Sequence, residues 1–303
     1  MPATADSVDN ENLLFGSNEF LDLSKGLEYA HFLEKDESNI TLAKVSFSLE
    51  KNLALSIPLC PYAGIYTSGK WNTNSCYPFI RKMLTTLKNR GVQKVVIKQA
   101  PTCVNPNNKP IHQALLSNGF EVSKKEINHH LDLTNINPWA NIHLMERRKI
   151  NRCSNESILL IEESPEQLRE VYDFIVNCRK QQSLKINISF EKLLKTIQTL
   201  PGHYRIFSAR SETNNVLAAT ITVQVTRKAV YNYLPAFDRS YKSLSPLAFL
   251  TFELIKKFQS EGLHYWDLGI SSIESKPQEG LIAFKERMGG IRSERLEYTW
   301  FKP

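Results

Sequence analysis

The chain is short of the features that mark several common protein classes. Its five cysteines (Cys60, Cys76, Cys103, Cys153 and Cys178) are scattered, with no CxxC pair and no zinc-ligand spacing. That argues against a disulfide framework and suits a reduced, cytoplasmic setting. No stretch approaches 18 uninterrupted apolar residues, so no membrane span is expected. The N-terminus is polar and acidic (Asp6, Asp9, Glu11), the reverse of a signal peptide. No Ser-His-Asp or Cys-His constellation can be assembled, and Cys103 reads as buried or incidental. His129 and His130 alternate on an expected strand with no third ligand in view, so neither a metal nor a tightly bound cofactor is expected.

What is present is the composition of a globular chain. At 303 residues the length favours two domains, and 42% apolar against 23% charged residues allows a substantial core. There are 38 basic and 31 acidic residues, a net charge of +7. This mild excess is compatible with phosphate-bearing or nucleic-acid partners, and equally with a lysine-rich solvated surface.

Helical and strand periodicities alternate along the sequence, which predicts an α/β (α+β) architecture. The clearest stretch runs from Tyr231 to Gly290. A strand, Ala229–Ala236, leads into a polar loop and then a helix opened by Ser245 as N-cap and Pro246 at the first helical position. Gly262 ends that helix, Leu263–Leu268 forms the next strand, and a second helix from Glu279 stops before Gly289. An earlier stretch repeats the pattern: a helix from Phe79 stopped by Gly91, a strand Val92–Lys98, and a helix from Pro110 stopped by Gly119. The glycines are 119 − 91 = 28 and 289 − 262 = 27 residues apart, which points to a duplicated unit. A helix from Asn137-Pro138 to about Ile150, ending in basic residues up to Arg152, is the expected connector. It divides the chain into 1–152, with the linker helix 138–152, and 153–303. Two such domains would meet at a cleft.

Several residues could serve a ligand. Tyr231 and Tyr233 alternate about Asn232 and so face one side of their strand, as core or as channel lining. Asp238, Arg239, Lys242 and Ser245 lie at the loop and helix start, where backbone N–H groups can hold an anion. The basic helix end Arg179-Lys180 could bind an acidic acceptor or simply suit the helix dipole. Tyr62, Tyr66 and Lys98 are acceptor-side candidates from the first half. Asp267 at a strand end could orient an amine, act as base, or cap the following loop.

Ser243-Leu-Ser-Pro-Leu-Ala-Phe-Leu250, Gly262-Leu-His-Tyr-Trp-Asp-Leu-Gly269, Gly280-Leu-Ile-Ala-Phe-Lys285 and Met288-Gly289 together resemble the second domain of FemAB-type acyltransferases. These are tandem members of the GNAT superfamily of acyl-CoA N-acyltransferases. Pro61-Tyr-Ala-Gly64, Ile97-Lys-Gln-Ala-Pro101 and the basic run Arg147–Arg152 resemble first-domain and linker features, so the similarity spans about residues 40–300. The resemblance implies two tandem GNAT-like domains, each a mixed, partly antiparallel sheet flanked by helices. It implies N-acyl or aminoacyl transfer to a small-molecule or peptide amine without a covalent enzyme intermediate. Acyl-CoA or aminoacyl-tRNA is the co-substrate this allows, and Lys285 is either the group that stabilises the oxyanion or a surface lysine on an amphipathic helix, paired with Glu286 or Glu279. The alternative is a duplicated module without catalysis that binds an acidic or phosphorylated ligand. The loop Arg239–Pro246 departs from the classical GNAT phosphate loop in containing no glycine, and no long helical hairpin lies between 246 and 303.

Overall fold

The computed structural model describes residues 13–24, 26–58, 60–68, 71–134 and 137–302. The acidic stretch Asp6–Glu11 lies outside them. The described residues divide into two compact units. Unit 1 holds the described residues up to Asn128 with Glu274–Lys276 and those from Ser293 onward; unit 2 holds His129–Ile273 and Pro277–Arg292.

Unit 1 begins with a short helix, α1 (Asn18–Leu21), capped by the Ser17 hydroxyl. Strands β1 (Glu28–Lys35), β2 (Thr41–Glu50) and β3 (Leu53–Ser56) then form an antiparallel meander. A two-residue strand, β4 (Tyr66–Thr67), also pairs with β2. Helix α2 (Cys76–Asn89), strand β5 (Lys94–Lys98), helix α3 (Asn108–Ser117) and the long strand β6 (Glu121–Asp132) follow. Ile80, Met83, Leu84 and Leu87 project from α2 at helical spacing and pack on Phe47, Val95 and Ile97 of the sheet.

Unit 2 opens with two helices, α4 (Pro138–Asn141) and α5 (Leu144–Asn155). The sequence suggests one helix here. It breaks because His143 is extended (φ −61°, ψ 143°) and its ring accepts from Met145 N, capping a new helix. After β7 (Leu159–Glu163) come α6 (Leu168–Lys180) and α7 (Phe190–Thr199), the latter capped by Ser189. Strands β8 (Tyr204–Arg210), β9 (Val216–Gln224), β10 (Ala229–Asn232) and β11 (Ala236–Phe237) lead to α8 (Pro246–Ser260). Strand β12 (Tyr265–Ile270), the two-residue strand β13 (Ser272–Ile273) and helix α9 (Glu279–Arg287) complete it, and the two-residue strand β14 (Lys276–Pro277) falls on the division between the units. On one face, α5 and α8 cover Phe207, Val230, Trp266 and Leu268. On the other, α6 and α7 cover Ile206, Ala219, Ile221 and Leu234.

The last strand, β15 (Ile291–Phe301), pairs antiparallel with β5, Tyr298 opposite Ile97 and Trp300 opposite Val95. From Ser293 onward it therefore belongs to unit 1. This moves the division away from the expected boundary at 152. Ile150 and Cys153 of the basic helix pack into the α8 core, so that helix is part of unit 2 and does not serve as a free connector.

The duplication is visible in the backbone. Each of the four glycines ends its helix in a Schellman motif. Val92 N–H reaches Leu87 O and Leu263 N–H reaches Phe258 O, each at 3.0–3.1 Å, with Gly91 (φ +81°) and Gly262 (φ +77°) in the left-handed region. Phe120 to Leu115 and Gly290 to Lys285 repeat the pattern after α3 and α9. Each unit then contains a parallel strand pair that separates. In unit 1, β3 pairs with β5 only from Leu53 to Leu55, after which the chain returns as β4 against β2. In unit 2, β10 pairs with β12 from Ala229 to Tyr231, and β11 then pairs with β9.

Candidate functional site

The separation of β10 from β12 creates a fork whose last shared rung is Tyr231 opposite Asp267. It opens because β10 bulges: the N–H groups of both Tyr233 and Leu234 converge on Ile221 O. Trp266 and Leu268 point into the α8 core, so Asp267 and Gly269 share the opposite face with Tyr231. The Tyr231 ring lies over Gly269. A Cβ at Gly269 would stand 3.2 Å from Tyr231 Cε2, and its φ of +75° independently favours glycine. Gly269 was not singled out as a site residue from the sequence; its place after Asp267-Leu268 is the signal that could have found it.

Tyr233 sits 6.3 Å from Tyr231, ring to ring, as the alternation requires, and 6.3 Å from Tyr204. Both of the expected tyrosines are half-buried at the end of α6. Arg179, from that helix end, has a buried Nε with no hydrogen-bond partner among the described residues. Burial lowers its pKa, and the Tyr231 and Tyr233 hydroxyls oppose the shift. Burial also pushes Tyr233 up to about 12, with Arg179 pulling it down.

Asp267 is fully buried, and its Oδ1 accepts from Gly269 N at 2.9 Å, the loop-capping contact. His130, from β6, lies in its field. Burial holds this imidazole below its ordinary value, with Asp267 and Asp132 acting against that. Lys285, 5% exposed on α9, donates from Nζ to Gly269 O at 2.8 Å and Ile270 O at 3.0 Å. Its ammonium is thus fixed at the end of the strand that carries Asp267. Next to it on α9, Glu286 approaches His129 Nε2 at 3.6 Å, while His129 Nδ1 pairs with Ser271 Oγ at 2.9 Å.

At the loop before α8, Asp238 caps the turn Arg239–Tyr241 through Ser240 N and Oγ. Arg239 and Lys242 are exposed. Ser245 occupies the N-cap position but in the left-handed conformation (φ +58°), with no side-chain cap. Its carbonyl instead accepts from Ala248 N and Phe249 N. The expected serine cap is therefore absent, and the first turn is closed through the backbone.

Three of the candidates belong to unit 1. Tyr62 is fully buried, its ring T-shaped on Phe15 at 5.5 Å, and Tyr66 is buried on β4. Lys98 is half-buried at the end of β5, beside a cavity of about 260 Å³. The fork of unit 1 is closed. Gln99 Oε1 accepts from Ile65 N at 2.9 Å, and Gln99 Nε2 donates to Ile65 O at 2.7 Å and Asn108 Oδ1 at 2.9 Å. Gly64 leaves no room for a Cβ, which would meet Gln99 Cα at 2.9 Å.

Comparison with known proteins bears on the fold. Residues 145–277 match the family model of the acetyltransferase (GNAT) domain. The solved structure of FemX aligns with a TM-score of 0.73 at 11% identity, covering 97% of this chain and 93% of that one. The chain has the FemAB-like tandem GNAT fold. L-PGS from Bacillus licheniformis aligns with a TM-score of 0.62 at 13% identity, over 96% of this chain and 88% of that chain. A tandem GNAT protein from the clavulanic acid biosynthesis pathway aligns with a TM-score of 0.51 at 9% identity, over 92% and 85%. No significant match is found among curated proteins by sequence. The family match over residues 145–277 supports an acyl-transfer scaffold there. Among the described residues no helix is long and apolar enough to cross a membrane.

Proposed function

We propose that this protein is an N-acyltransferase that moves an acyl or aminoacyl group from an activated donor to an amine, with the donor held in unit 2. The observation that carries this is the contrast between the two forks. In unit 1 the fork is sealed by Gln99 and Ile65, 3% and 1% exposed. In unit 2 it is lined by the half-buried Tyr231, Asn232 and Tyr233. A donor's thioester or ester carbonyl at this fork would lie beside Asp267, Gly269 and Lys285. Acyl-CoA and aminoacyl-tRNA are the two donor classes this reading admits.

The chemistry asked of the site is modest. The amine lone pair attacks the carbonyl carbon, a C–N bond forms, and the C–S or C–O bond to the donor breaks. The amine loses a proton, and the leaving thiolate or alkoxide gains one. His130, whose burial disfavours the imidazolium, would take the amine proton, with Asp267 stabilising the resulting imidazolium. Lys285 supplies the positive charge that stabilises the oxyanion. Arg179 draws in an acceptor that carries an anionic group.

The test has two steps. Melting temperature is followed with acetyl-CoA, longer acyl-CoAs, free CoA and aminoacyl-tRNA. Mass spectrometry then looks for the acyl mass on small-molecule and peptide amines. Stabilisation by at least one donor and a mass gain that His130→Ala diminishes are expected; neither with any donor sinks the proposal. The second reading, a non-catalytic module for an acidic ligand, draws on the glycine-free loop whose first turn already uses two backbone N–H groups. It requires that anions bind while no donor does.

A further inference from the structure

We infer that unit 1 carries a ligand site of its own, which binds a small organic anion through one phosphate or carboxylate group. The site is a cavity of about 260 Å³ whose lining sets three cations, Lys98, Lys124 and Arg295, against two carboxylates, Glu126 and Glu297, with Cys60, Pro61 and Leu296 completing it. Strand pairing builds it. Lys98 stands opposite Glu297 across β5 and β15, and Arg295 lies two residues along β15 on the same face. The loop carrying Cys60 and Pro61 forms another wall, fixed by Ala63 N–H to Lys98 O at 3.0 Å.

The charges in this cavity do not balance. Lys124 is committed to Glu126 at 2.6 Å. Glu297 accepts from the Ser123 hydroxyl at 3.3 Å. Lys98 and Arg295 are half-buried, and neither has a carboxylate within 4.0 Å among the described residues. Two partly desolvated cations held on adjacent strands, with no ion pair of their own, form an anion-binding geometry. The arginine fork suits two oxygens of one oxyanion, and the lysine adds a point charge. Cys60, whose buried thiol is pushed up to about 12, is a neutral wall and does not compete for the cations. Pro61 and Leu296 add apolar surface, which favours an organic anion over the bare inorganic ion.

The experiment uses the full chain at constant ionic strength. Inorganic phosphate, phenyl phosphate and acetate are titrated by calorimetry and by melting temperature, with chloride as the matched control. Saturable binding is expected, with phenyl phosphate tighter than phosphate; tighter phosphate than acetate would make the source a phosphoryl group, and the reverse a carboxylate. Lys98→Gln and Arg295→Gln keep the side-chain stems and should each weaken binding by about tenfold or more. Arg295→Lys should recover part of it. Arg239→Gln and Lys242→Gln, at the donor loop of unit 2, should leave it unchanged. A response no larger than chloride's, or one preserved in the Lys98→Gln/Arg295→Gln double variant, overturns the inference. A response lost only with Arg239 and Lys242 also overturns it, and assigns the anion to the donor site of the proposed transferase.

Discussion

The Tyr231 ring rests on the bare Cα of Gly269, across the last rung before β10 and β12 part. The two residues hold each other. Glycine admits the ring and tolerates a φ of +75°, and the ring covers the strand end that Asp267 caps. Gly269→Ala is therefore expected to cost about 1–3 kcal/mol in left-handed backbone strain. The methyl would also push Tyr231 into the fork. Chemical denaturation measures the first effect and donor affinity the second. A variant as stable as the parent, with unchanged donor binding, would remove this pair from the site.

Lys285 has two roles that a single substitution disturbs together. Its ammonium donates to the carbonyls of Gly269 and Ile270, so Lys285→Met leaves the buried Gly269 acceptor short of a donor, at about 1–3 kcal/mol, with a smaller loss at the part-buried Ile270. The proposed oxyanion role adds a loss of about 10²–10³ in kcat. The two separate experimentally: stability is read by urea denaturation, and kcat on the fraction still folded. If kcat per folded molecule is unaffected, Lys285 is a strand anchor alone.

Gln99 makes the opposite prediction for unit 1. Its amide closes the fork through Ile65, so Gln99→Ala orphans the buried Ile65 N–H, which costs about 1–3 kcal/mol. Since unit 1 holds no donor in the proposed scheme, transfer kinetics should stay within about twofold. Melting temperature and steady-state rates check this. A large fall in kcat without a fall in stability would place chemistry in unit 1.

How legible all this was depends on where each piece of information lies. The helix ends were readable because a glycine at C′ is a local signal, and the four Schellman motifs fall where the sequence places them. The tyrosine pair on one face followed from strand alternation. Strand β1 is not legible in the sequence: exposure alternates from Ala30 to Lys35, but Leu33 faces out and Glu34 faces in, so polarity does not follow the alternation, and charged residues stand at both ends, as suits an edge strand. The membership of β15 in unit 1 depends on pairing with a strand nearly 200 residues earlier, which no local pattern reports. Closure of the unit 1 fork rests on one side-chain amide reaching a backbone group 34 residues away. The resemblance at Pro61–Gly64 and Ile97–Pro101 marked the segments involved but not that they seal each other. Likewise Tyr62 reads as an accessible loop tyrosine, yet the N-terminal Phe15 buries it.

The acid limb of stability should be set by histidines before carboxylates. Burial lowers both His129 and His130, and Lys285 lowers His129 further while Glu286 raises it. In the folded chain these rings prefer to be neutral; in the unfolded chain they take up a proton near pH 6.5. The unfolded state thus binds more protons once pH falls below about 6.5, and stability declines from there toward the lower folded values. The carboxylates held below their ordinary range by Arg205 and Arg210, among them Glu162, Glu261 and Glu170, contribute stability that is lost only as pH falls below about 4.5. Urea midpoints measured from pH 7.5 to 5 isolate the histidine window. The parent should lose stability across it, and a His129→Gln/His130→Gln variant should show a flatter profile, whatever its stability at pH 7.5. A flat parent profile, or equal slopes in both, would mean that the two imidazoles are not held neutral by the fold, and would remove His130 as the base that accepts the amine proton.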